Sequence, residues 1–210
     1  MKPNTNQVKP GLVRLVSGAL IDWNAVLSGY GDLFHVPMTD LWWGIAHEPR
    51  YYAQLDRIYT VGEHTLIGDT IAYDLACARG IPPNEVARLF LVHDVHEGLG
   101  WRDVAAPLKA MPFMVEYVAA ELVAKAAVAE RTGARGLPSQ IDLVDEVDLA
   151  VRDLEQHIFW GEPLKDASLA PYSKLIPEKM PDPREVFAEL SARWQSIPAA
   201  GRREAVPCAS

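Results

Sequence analysis

Apolar residues recur at helical spacing from residue 62 onward, and glycine or proline divides the run into separate helices. GEHTLIGDTIAYDLACARG places Ile67, Ile71 and Leu75 four apart and stops at Gly80. IPPNEVARLFLVHDVHEG begins after a double proline and sets Val86, Leu89, Phe90 and His93 on one face. Residues 111–132 read as a long Ala-rich helix closed by Gly133 and Gly136. Pro138 opens another that runs to about Trp160. A last amphipathic piece extends from Pro183 to about Ile197, after a proline-rich connector.

The rest of the chain is less regular. Residues 1–16 read as a loose N-terminal segment, and residues 11–60, rich in Gly, Trp and Tyr, as an irregular lobe with short helical patches such as Asp40–His47. No convincing strand pair or internal repeat is visible. The expected class is therefore all-α, a bundle of about five to seven helices with an irregular N-terminal lobe. Its main domain is expected over residues 17–160, and residues 161–210 form an extension with one helix and a disordered tail.

A net charge of −8 tells against a nucleic-acid polymer as partner, because binding to a duplex leans on a basic surface. It leaves room for a small phosphorylated ligand, since a metal and a few local cations can overcome the global field. No stretch reaches the roughly twenty apolar residues of a membrane span, and no secretion signal opens the chain. Cys77 and Cys208 are far apart and match neither a disulfide framework nor a metal motif, which favours a reducing compartment. The expectation is a cytoplasmic protein.

His93-Asp94 lies near the end of a helix with an apolar face. Adjacent helical residues differ by about 100° around the axis, so both side chains can grip one ion. A lone His-Asp dipeptide is more often a frayed helix end in water. Two further residues change the balance. His64 begins the preceding helix, and antiparallel packing would bring it beside His93 and Asp94. Asp148 interrupts the stripe Ile141, Val144, Val151, Ile158, whereas Asp142 and Asp145 read as ordinary solvated acids. A carboxylate on an apolar face needs a partner. Two imidazoles and two carboxylates form a mixed N/O set suited to a first-row divalent ion.

The order His64, His93-Asp94, Asp148 resembles the H…HD…D signature of the HD-domain phosphohydrolases. DRIYTVGEHT, HDVHEGLGWRDVAAPLK and VDLAVRDLE are similar to segments of bacterial and phage members close to the 5′-deoxynucleotidases, and SGALIDW to a weaker N-terminal motif of that group. The resemblance spans roughly residues 17–160.

It implies that His64, His93, Asp94 and Asp148 bind a divalent ion (Mn2+, Co2+, Zn2+, Fe2+ or Ni2+), with Mg2+ as a companion of the substrate. Glu97, one turn after His93, would be the acid/base residue. Arg57 and Lys109 would hold phosphate oxygens, although either can also be a solvated cation. Asp103 matches the family's Gly-Asp position only with one residue inserted after Gly100. His96 can reach a phosphate or cap the helix end. Trp23, Trp42, Trp43 and Trp101 offer faces for a base, Trp23 and Trp101 first among them, against the commoner role of core aromatics.

The implied activity is hydrolysis of a (deoxy)nucleotide phosphate ester, 5′-deoxynucleotidase-like in the first place. A dNTP triphosphohydrolase is the alternative, and an alarmone or cyclic-nucleotide hydrolase a weaker one. The implied partners are the nucleotide and further copies of the chain in a homo-oligomer. A non-catalytic helical module that binds a nucleotide, or keeps a metal for structure, is the rival from another class.

Overall fold

Thr60 starts the helix around which the others pack. Its hydroxyl accepts the Glu63 backbone N–H at 3.2 Å, while the Glu63 carboxylate accepts the Thr60 N–H at 3.0 Å. This reciprocal cap satisfies two amides that the first turn would otherwise leave unpaired. The helix, α3 (Val61–Arg79), ends at Gly80, whose left-handed φ of 66° a residue with a side chain adopts at a cost.

The computed structural model describes residues 10–198. Before α3 come two short strands, β1 (Leu12–Arg14) and β2 (Leu20–Asp22), then helices α1 (Trp23–Leu27) and α2 (Met38–His47). After it come α4 (Pro83–Val92), α5 (Ala106–Lys109), α6 (Val115–Thr132), α7 (Pro138–Trp160) and α8 (Pro183–Ser196). The class is all-α, a helical bundle, with one departure from expectation. Strands β1 and β2 pair antiparallel, Val13 opposite Ile21. The hairpin falls partly in the stretch expected to be loose; residues 1–9 and the tail from 199 lie outside the described residues.

Helix α4 doubles back along α3. The Phe90 ring lies so close to Gly68 that a Cβ there would stand 2.0 Å from a ring carbon. That approach brings the end of α4 to the beginning of α3. Helix α7 closes over both, burying Leu143, Val144, Val147, Val151 and Leu154 with Ile67, Ile71, Val86 and Phe90. Truncating Phe90 to Ala in such a core costs about 3–5 kcal/mol. The buried stripe of α7 matches the expected one only at Val144 and Val151. Ile141 and Ile158 are 47% and 39% exposed, so Asp148 stands at the edge of the buried face rather than within it.

A second core joins the N-terminal lobe to α2, α6 and α8 through Leu41, Trp42, Ile45, Leu99, Val128, Val186 and Leu190. Helix α8 thus packs on the body of the bundle. Cys77 lies within α3, and Cys208 lies outside the described residues. Among the described residues, no helix is long and apolar enough to cross a membrane.

Candidate metal centre

The antiparallel packing of α3 on α4, with α7 across them, brings His64, His93, Asp94 and Asp148 together. One ligand atom from each lies within 4.8 Å of the others. His64 comes from the first turn of α3, His93 from the end of α4, and Asp148 from the middle of α7.

Both imidazoles are oriented by their outer nitrogen. Nδ1 of His93 donates to the Phe90 carbonyl at 2.6 Å. Nδ1 of His64 donates to Glu155 Oε1 at 2.7 Å, where both side chains are 0% exposed. A nitrogen that donates carries the proton, so in each neutral ring Nε2 is left with its lone pair. Those two Nε2 atoms are buried and have no hydrogen-bond partner. His64 Nε2 lies 3.2 Å from Asp148 Oδ1, and His93 Nε2 lies 3.1 Å from Asp94 Oδ2, without hydrogen-bond geometry in either contact. Leaving such atoms unpaired costs about 1–3 kcal/mol each. A shared cation removes that cost, and imidazole-carboxylate backing is the usual second layer of a metal site. The residues fit a divalent ion.

The charges agree. Burial pushes the Asp94 carboxyl up, but His93 beside it, with Lys125 and His96, holds it well below the usual carboxylate range. Burial also raises Asp148, and His64 and His93 outweigh it. For His64, burial and Arg50 pull the imidazole down, while Glu155 and Asp148 more than reverse this. Both carboxylates are ionised and available as ligands.

Glu97 stands beside this group, forming a second cluster with Asp94 and His96. It is 2% exposed, and its Oε2 has no partner. Burial, reinforced by Asp94 and Asp103, raises its carboxyl well above the ordinary range. Glu97 opens a π-helical turn, Glu97–Trp101, followed by Arg102 at φ 63°. Wide turns of this kind are frequent at functional sites.

The other candidate residues fare differently. Lys109 donates to Glu121 Oε1 at 2.5 Å, and His96 contacts the same oxygen from its fully buried position at 3.2 Å. Asp103 accepts the Tyr51 backbone N–H at 3.3 Å. Arg57 is held by Glu63 at 2.8 Å and lies over the rings of Tyr59 and Phe159, away from the four ligands in its contacts. Trp23 requires a correction. It is 6% exposed, its indole N–H donates to the Leu99 carbonyl, and Trp101 meets it edge-on, so it is a core residue with no face for a base. Trp42 is likewise buried against Trp194.

Three residues at the centre were not singled out from sequence: Arg50, Lys125 and Glu155. Arg50 lies between Asp94 and Glu155, and Lys125 Nζ stands 3.4 Å from Asp94 Oδ1. Glu155 follows Asp148 by two turns on the same face of α7, a spacing that could have flagged it. No family model matches the chain, and no curated protein matches it significantly.

Proposed function

We propose that this chain is a metal-dependent phosphohydrolase of the HD type that cleaves a phosphate ester of a (deoxy)nucleotide. The observation that carries the reading is the pair of buried, unpartnered imidazole Nε2 atoms converging with two ionised carboxylates. His64, His93, Asp94 and Asp148 would hold the divalent ion, which supplies Lewis acidity towards water and a phosphoryl oxygen.

The chain's own groups account for the rest of the chemistry. Glu97 is close to the ligands without being one of the four. Its buried carboxyl, raised by desolvation and with Oε2 unpaired, suits proton transfer, either from the attacking water to Oε2 or onward to the leaving oxygen. Lys109 and Lys125 bring positive charge to the same side, offsetting charge on the phosphate as it develops. Burial of Glu97 and His96 keeps bulk water from levelling these interactions.

The nucleotide as substrate rests on the order and spacing of the motifs around the ligands, with a deoxynucleoside monophosphate first. A second lysine, Lys125 against Asp94, favours keeping a dNTP, cleaved to triphosphate, as the other reading. A module that holds its metal for structure alone has no use for the unpaired Glu97 carboxyl. The experiment is a screen of deoxynucleoside mono-, di- and triphosphates with Mn2+, Co2+ or Zn2+ and analysis of the released product. Orthophosphate from a monophosphate supports the first reading and triphosphate from a dNTP the second. Absence of metal-dependent release from every substrate contradicts both.

A further inference from the structure

We infer that Arg50 and Tyr51 are positioning residues for the metal centre, acting on His64 through the buried carboxylate of Glu155, with Arg50 also facing Asp94 directly. This inference rests on reading the four-residue cluster as a metal site.

Glu155 is 0% exposed and its two oxygens are divided between tasks. Oε1 accepts the Nδ1 proton of His64 at 2.7 Å. Oε2 receives the Tyr51 hydroxyl, and Arg50 Nη2 lies 3.6 Å from it. The other end of the guanidinium, Nη1, reaches to 3.8 Å from Asp94 Oδ2. One planar cation therefore spans the carboxylate behind one histidine and a carboxylate of the ligand set itself. A permanently charged group of fixed shape is suited to hold two carboxylates at a set separation.

The backbone is bent to make this possible. Arg50 is extended, its N–H donating to the Tyr59 carbonyl at 2.8 Å, next to the bridge between Pro49 and Thr60. In extended chain, consecutive side chains point to opposite sides. Here Tyr51, Tyr52 and Ala53 follow at φ 54°, 53° and 54°, left-handed without a glycine among them. Each such residue costs on the order of 1–3 kcal/mol. The reversal brings the neighbours Arg50 and Tyr51 onto the same carboxylate. It is pinned by the Tyr51 N–H, which donates to Asp103, and by the Tyr52 hydroxyl, which accepts the Ala105 N–H at 3.0 Å.

The test is titration of the metal-free chain with Co2+, read by its visible absorption bands, alongside melting of the metal-free proteins. Arg50→Gln is expected to weaken Co2+ binding by about 10–100-fold and alter the bands, as loss of an outer-layer partner does. Tyr51→Phe should weaken it less, and Arg50→Lys should recover part of the loss. Folded Arg50→Gln and Tyr51→Phe with parental affinity and bands overturn the inference, even if their melting temperatures fall. Should Arg50→Gln not fold, Tyr51→Phe decides alone, and parental behaviour overturns it. Asp148→Ala separates the two levels. If it loses Co2+ while the other variants do not, only the positioning role fails. If it binds like the parent, or the parent binds no Co2+, the metal reading fails first.

Discussion

Gly44 on α2 and Gly98 in the π-helical turn pack backbone to backbone: a Cβ on Gly98 would stand 2.4 Å from the Gly44 carbonyl carbon and the Ile45 nitrogen. No flexible side chain is there to yield, so the main chain must move. Gly98 follows Glu97 directly, and the same contact seats the Glu97 turn. Gly98→Ala should lower stability by roughly 1–3 kcal/mol, the usual cost of overpacking, and reduce turnover with it. Thermal unfolding and kinetics on one preparation check this; parental values in both would mean that the turn is seated by something else.

Asp69 provides a pH-dependent test remote from the ligands. Burial pushes its carboxyl up to about 7, which Arg193 of α8, 3.6 Å away, only partly opposes. With the folded pKa above the unfolded one, the folded state holds the proton more tightly. Its stabilising effect is full below the ordinary aspartate range and is lost as pH rises to about 7. Asp69→Asn should match the parent most closely near pH 3 and melt higher near pH 8. At about 1.4 kcal/mol per pKa unit the gain is at most a few kcal/mol. A difference from the parent that is the same at both pH values contradicts the assignment.

Removal of the ion should abolish hydrolysis. Chelator-treated protein is expected to lose activity on deoxynucleotides and regain it with Mn2+, Co2+ or Zn2+, the best ion being set by site geometry and not by affinity order alone. Unchanged turnover of verified metal-free protein rules out the proposed role of the ion.

Much of the helical frame was legible because its punctuation is local. Gly80 and Gly133 end helices in left-handed conformation, and Pro83, Pro138 and Pro183 open them. The hairpin was not legible, since strands of three residues are too short to establish a period of two. The clustering of His64, His93, Asp94 and Asp148 could be read because His-Asp on an apolar helix is costly without a partner, although the stripe used to find Asp148 was right only at Val144 and Val151. Buried Leu143, Val147 and Leu154 mark the true inner face of α7, and Ile141 and Ile158 lie outside it. Arg50 carries no local signal. Its role depends on a left-handed turn that only tertiary contacts hold in place.

Glu97→Gln keeps the size of the side chain and most of its hydrogen-bonding capacity but cannot exchange a proton near neutrality. With Glu97 outside the four ligands, the variant should keep its metal and fold while turnover falls by about 10²–10⁴. Near-normal turnover would remove Glu97 from proton transfer, and loss of metal as well would make it a ligand.

On the proposed reading, His64, His93, Asp94 and Asp148 together hold one divalent ion. The most direct measurement is metal content per chain in the purified parent, Asp94→Ala and Asp148→Ala, on samples whose helical circular dichroism agrees. A divalent ion is expected in the parent, with strongly reduced occupancy in both variants. Parental metal content in both variants would contradict that reading.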